Sequence, residues 1–178
     1  VEYPLIPSVR MGTLIERCSA SIEWVWKNAE KFGGDRNRIS ISGHSAGGHI
    51  TAMMMQTDWT TYRNGLPKNL IKGGCSISGV SDLEPVRLSF QNKELQFSLE
   101  EAVEFSTLFM EPVHPGPLMT VVGAMEGDEF IRQTTELAKS WSAKGMKVEP
   151  WIMEGKHHFT TINEYLDPES ELSRSVRK

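Results

Sequence analysis

Apolar residues recur at helical spacing through Leu14, Cys18, Ile22, Val25 and Ala29, with Thr13 and Glu16 in capping-box positions ahead and Gly33-Gly34 behind. This spacing predicts an amphipathic helix. Ile39 to Gly43 then alternates large apolar with small residues, as a brief strand does, and runs through His44-Ser45-Ala46-Gly47-Gly48 into a helical, Met-rich stretch from Ile50 to Met55. Apolar runs at Ile71 to Ile77, Leu118 to Val122 and Val148 to Met153 predict three more strands. Between the last two, Asp128 is placed to cap a helix that carries Phe130, Thr134, Leu137 and Trp141 on one face and ends near Gly145. Val1 to Leu5, apolar and closed by prolines, reads as a further short strand.

Strands alternating with helices of this length imply right-handed crossovers and a mostly parallel sheet with helices on both faces, an α/β fold. All 178 residues are expected to form one domain. The rhythm breaks from Glu84 to Pro117, a stretch with four prolines and a single short helical pattern, Ser98 to Phe105. An insertion after a strand is expected to wall a pocket or act as a lid.

Composition narrows the partners. A charged share of 24% and a net charge of −4 give no electrostatic reason to bind DNA, RNA or anionic lipid. No apolar run reaches the roughly 18 to 20 residues of a membrane span and the first residues lack a signal-peptide pattern, so a cytoplasmic protein acting on a small molecule is expected. A homodimer stays open. Cys18 and Cys75 fall in apolar-patterned segments and read as buried free thiols. No cluster at metal-ligand spacing occurs, so no metal and no cofactor are expected. The chain begins with Val1, in what reads as a strand, and is expected to be a fragment with its first strands missing.

The candidate chemistry centres on Gly43-His44-Ser45-Ala46-Gly47, a Gly-x-Ser-x-Gly pattern entered by a strand and left by a helix. Such a turn puts the serine hydroxyl out at the strand's C-terminal edge, and glycines two before and two after are expected to let strand and helix approach. The Ala46 N–H then lies at a helix N-terminus, where it can stabilise an oxyanion. Serine needs a base, and the base needs an acid to orient it, in chain order Ser, acid, His. Among five histidines, His44 and His49 flank the nucleophile too closely, and His114 precedes the third long strand. His158 follows the final strand and is the expected base, with His157 read as a solvated neighbour. For the acid, Glu126, Asp128 and Glu129 compete after Leu118 to Val122. Asp128 has a capping role open to it, Glu129 falls in a first helical turn, and Glu126 has neither task. Asp82 is a fourth candidate, better read as a turn residue.

The segments Val1-Glu-Tyr-Pro-Leu-Ile-Pro, Phe32-Gly-Gly-Asp-Arg-Asn-Arg-Ile, Gly43-His-Ser-Ala-Gly-Gly-His, Ser78-Gly-Val-Ser-Asp-Leu-Glu-Pro, Gly123-x-x-Glu-x-x-Glu-Phe and His158-Phe resemble the kynurenine formamidase (arylformamidase) branch of the α/β-hydrolases. The likeness runs through nearly the whole chain. It implies the α/β-hydrolase fold, Glu126 as the acid and His158 as the base. The family's His-Gly-Gly-aromatic segment, a source of further oxyanion donors, does not occur in this sequence. The resemblance implies hydrolysis of an aryl formamide such as N-formyl-L-kynurenine. A carboxylesterase acting on small esters is the alternative, and a non-catalytic module of the same fold the second alternative. The insertion, with residues near Trp59, is expected to form the wall that receives an aromatic ring.

Overall fold

The computed structural model describes residues 1–113 and 116–177, so His114 lies outside the described residues. The elements run α1 (Met11–Asn28), β1 (Ile39–His44), α2 (Ala46–Met55), α3 (Trp59–Tyr62), β2 (Ile71–Ile77), α4 (Glu84–Leu88), α5 (Asn92–Leu95), α6 (Leu99–Glu104), β3 (Leu118–Gly123), α7 (Asp128–Ala143), β4 (Val148–Met153), α8 (His158–Ile162) and α9 (Glu171–Val176). The strands form one parallel sheet in the order β1-β2-β3-β4. Each crossover returns the chain to the same end of the sheet. The C-terminal ends of all four strands therefore open on one side, where ligands of such sheets sit.

β3 is buried on both faces and reads as a near-continuous apolar run, whereas β1 alternates and β4 leaves Glu149, Pro150 and Ile152 exposed. On one face Ile71, Leu118 and Val148 pack with Leu14 and Cys18 of α1, Met54 and Met55 of α2, and Leu137 and Trp141 of α7. On the other, Cys75, Ile77, Val121 and Met153 pack with Leu172 of α9. Cys18 and Cys75 are buried free thiols. Burial pushes the Cys75 thiol up to about 11, far from a reactive thiolate.

Four local expectations are corrected. Residues 1–5 form no strand: no described strand pairs with them, and Tyr3 packs against the core instead. Strand conformation depends on a pairing neighbour more than on residue preference. Helix α1 begins at Met11, so Thr13 and Glu16 make no capping box, and the N-cap Arg10 makes no side-chain cap bond. Tertiary packing sets that start: Met11 is buried with Leu83, Phe97 and Ala102, and Arg10 reaches Glu101 of α6 through Nε at 2.9 Å. Val25, expected on the buried face, is exposed, and Trp26 packs there instead. In α7 the N-cap is Gly127, not Asp128, and no side chain caps it. Asp128 stands with Glu129 in the first turn, where the helix dipole favours negative charge.

Within the long segment after β2, the expected short helix is α6, closed at its start by a reciprocal capping box of Ser98 and Glu101. Leu83, Phe97 and Ala102 bury the segment against Met11 of α1. No helix among the described residues is long and apolar enough to cross a membrane.

Candidate active site

Ser45 joins β1 to α2 with φ 57° and ψ −118°, a conformation non-glycine residues avoid and keep only where the surroundings impose it. The surroundings here are backbone. Ser45 N–H donates to the Ile77 carbonyl at 2.9 Å, tying the turn to the end of β2. A Cβ on Gly43 would lie 2.1 Å from the Gly47 carbonyl oxygen, which no side chain allows. The flanking glycines are not equivalent, however, since a Cβ on Gly47 would meet nothing within 4 Å. The second close approach belongs to Gly48, whose Cβ would lie 2.7 Å from Gly79 Cα. Ala46 opens α2, so its N–H has no acceptor within the helix and is free to face a ligand.

Glu126 sits in the turn after β3, its side chain 1% exposed, and its Oε2 accepts from His158 Nδ1 at 2.7 Å. The other oxygen, Oε1, accepts from Ser78 Oγ at 2.6 Å and from Gly123 N–H at 2.8 Å. Burial pushes the Glu126 carboxyl up, but the bonds from Ser78, Gly123 and His158 outweigh it and hold the group below the ordinary carboxylate range. It is an anion at neutral pH. With Nδ1 committed to Glu126, the nitrogen of His158 left for chemistry is Nε2, on a half-buried ring. No hydrogen bond joins Ser45 Oγ to His158 among the described residues; such bonds often tighten only when substrate is bound.

The competing residues all have other work. Asp82 pairs with Arg132 Nη2 at 2.9 Å and accepts from Glu84 N–H, and Glu129 pairs with the same guanidinium at 2.6 Å. His157 is the N-cap of α8 and accepts from Phe159 N–H. His49 is buried, its Nδ1–H donating to the Val80 carbonyl at 2.8 Å, and burial holds it neutral by pushing its pKa down. His44 turns away from Ser45: its Nε2–H donates to the His158 carbonyl at 2.7 Å while the two rings lie 4.5 Å apart. That clamp on the His158 backbone was not visible in the sequence, because His44 and His158 are 114 positions apart. Ser78 was missed for the same reason.

A cavity of about 500 Å³ opens beside Ser45 and Ala46. Its wall is mainly apolar, with Met11 and Leu14 from α1, Val86, Leu95 and Phe97 from the segment after β2, and Phe130 from α7. Phe130 also lies against His158, ring centres 5.0 Å apart. The expected contribution of residues near Trp59 is corrected: the Trp59 side chain is fully buried in the core, and neither it nor its neighbours in the sequence line this cavity.

A serine on a strained strand-to-helix turn, with a carboxylate–imidazole pair at the next strand ends, is the layout of one large fold family, and residues 1–161 match that family, described as the alpha/beta hydrolase fold. The chain belongs to the alpha/beta hydrolase fold family. Among its relatives, the chain is 28% identical over 183 residues to a kynurenine formamidase of Danio rerio, covering 100% of the chain and 60% of the relative. Over a shorter stretch of 56 residues it is 43% identical to carboxylesterase NlhH of Mycobacterium tuberculosis, covering 32% of the chain and 18% of that protein. Among solved structures, a proposed thioesterase from Silicibacter sp. superposes with a TM-score of 0.83 at 26% identity, over 99% of this chain and 62% of that one. The chain thus spans about 60% of the length of the curated kynurenine formamidase it matches.

Proposed function

We propose that these residues carry the catalytic machinery of a serine hydrolase that cleaves an aryl formamide such as N-formyl-L-kynurenine to the free aryl amine and formate. The Glu126–His158 hydrogen bond carries the hydrolytic part of this reading, since it orients an imidazole with its second nitrogen free at the strand ends that also hold Ser45. Similarity along the whole chain to a kynurenine formamidase supports the formamide.

In this mechanism Ser45 Oγ attacks the formyl carbon while His158 Nε2 takes the hydroxyl proton. Glu126 stabilises the resulting imidazolium and does not itself take the proton. The oxyanion of the tetrahedral intermediate is held by the Ala46 N–H at the start of α2. Collapse of the intermediate breaks the carbon–nitrogen bond, and the leaving aryl amine receives the proton from His158. Water then attacks the formyl-serine, gives a proton to His158, and formate departs as Ser45 regains its hydrogen.

The apolar cavity supports an aryl leaving group. An aromatic ring that removes about 100 Å² of apolar surface from water gains about 2.5 kcal/mol, on the order of 70-fold if realised in the transition state. The deciding measurement compares kcat/KM for N-formylkynurenine with that for p-nitrophenyl acetate and butyrate in the full-length protein. A higher value for the formamide, despite the better leaving group of the esters, is the expected result. If the esters win by a wide margin and N-formylkynurenine is not turned over, the second reading takes its place: a carboxylesterase on small esters, favoured by the local 43% identity to carboxylesterase NlhH.

A further inference from the structure

Ser78 directly follows β2, is fully buried, and holds φ at 49°. A buried serine keeps such a left-handed backbone only when its bonds impose it. Two bonds do so here. Its N–H donates to the Val121 carbonyl of β3 at 2.6 Å, and its Oγ donates to Glu126 Oε1, also at 2.6 Å.

We propose that Ser78 is a positioning residue of the reaction: together with the Gly123 N–H it locks one oxygen of Glu126, so that the other is presented to His158 Nδ1. The proposal rests on the reading of Glu126 as the acid of the site. The terminal torsion of a glutamate is soft, and the side chain has one more rotor than aspartate, so a bond to His158 alone leaves the carboxylate free to swing. The remaining donor near Oε1, Thr161 Oγ1, stands 3.4 Å away and lies closer to the His157 carbonyl, at 2.9 Å, so its single proton is better used there. Ser78 and Gly123 are therefore the two donors that fix the carboxylate, one from the exit of β2 and one from the end of β3. They also draw negative charge toward Oε1 and away from the oxygen that faces the imidazole. Without the hydroxyl, more of the charge stays on Oε2, and the imidazolium formed during the reaction is held more strongly.

The test uses Ser78→Ala, Ser78→Gly and Ser78→Cys in the full-length protein, with kcat, KM and the pH profile of kcat/KM measured on N-formylkynurenine and p-nitrophenyl acetate. Ser78→Gly is the informative variant because glycine accepts the positive φ without strain, keeping the backbone while deleting the hydroxymethyl group; Ser78→Ala deletes the hydroxyl alone. The expected result is a fall in kcat of about 10- to 100-fold in the alanine and glycine variants, with KM within about twofold. The acidic limb of the profile should move to higher pH, and cysteine, a weak donor of similar size, should fall between. A merely structural role would lower the unfolding midpoint and leave the acidic limb in place, and that outcome, or full kcat in Ser78→Gly, overturns the proposal. Glu126→Gln, measured alongside, separates the two failures. If it remains active, the acid reading falls and the Ser78 proposal with it; if it is inactive while Ser78→Gly turns over normally, only the Ser78 proposal falls.

Discussion

At the Ser45 turn the geometry is held by backbone, whereas at the Glu126–His158 corner it is held largely by side chains that converge from the ends of all four strands. The turn needs a glycine where strand meets helix, at Gly43, another where helix meets the loop after β2, at Gly48, and one main-chain bond to Ile77. The corner needs Ser78, the Gly123 N–H and His158 around one carboxylate, with His44 donating to the His158 carbonyl. A site fixed by backbone tolerates few substitutions but announces itself as a motif. A site fixed by converging side chains is tunable, and each contributor is invisible until the chain has folded.

The comparison can be broken most severely at its chemical centre. Ser45→Ala should lower turnover by about four orders of magnitude with an unchanged unfolding midpoint, read by kinetics and by loss of fluorophosphonate labelling. Labelling that survives in this variant places the nucleophile elsewhere. On the other side of the site, Glu126→Gln should cost about 100- to 10,000-fold in kcat, whereas Asp128→Asn, which alters only a helix first turn, should stay within about threefold. The reverse ranking moves the acid to Asp128.

A smaller effect sharpens the contrast within the turn itself. Gly43→Ala puts a Cβ onto the residue 47 backbone and should destabilise the fold by about 3 kcal/mol or more, while Gly47→Ala meets open space and should change stability by about 1 kcal/mol or less, in the stabilising direction. Urea unfolding of the two variants checks this. Equal losses at both positions would mean that the turn is not held by the close approach at Gly43.

How much was legible in advance follows the same division. The strands at Ile71–Ile77 and Val148–Met153 were read to the residue, because apolar-rich stretches bounded by turn residues are a local signal. Helix starts were less legible: α1 begins at Met11 because Met11 packs under Leu83 and Phe97, which outweighs the cap available at Thr13. Trp59 carried no signal that separates a core tryptophan from one lining a pocket, and the fold places it in the core.

The sequence by itself determined the order of strands and helices, the serine on its glycine-flanked turn, and a histidine beyond the last strand. Each of these depends on neighbours a few positions away, through periodicity, sterics and turn chemistry. Only the tertiary structure decided which carboxylate meets that histidine and what holds it there. Glu126 lies 48 positions from Ser78 and 32 from His158, and no local rule couples residues so far apart. The parallel sheet does so by bringing the ends of β2, β3 and β4 side by side, where burial leaves each polar group bound to find a partner.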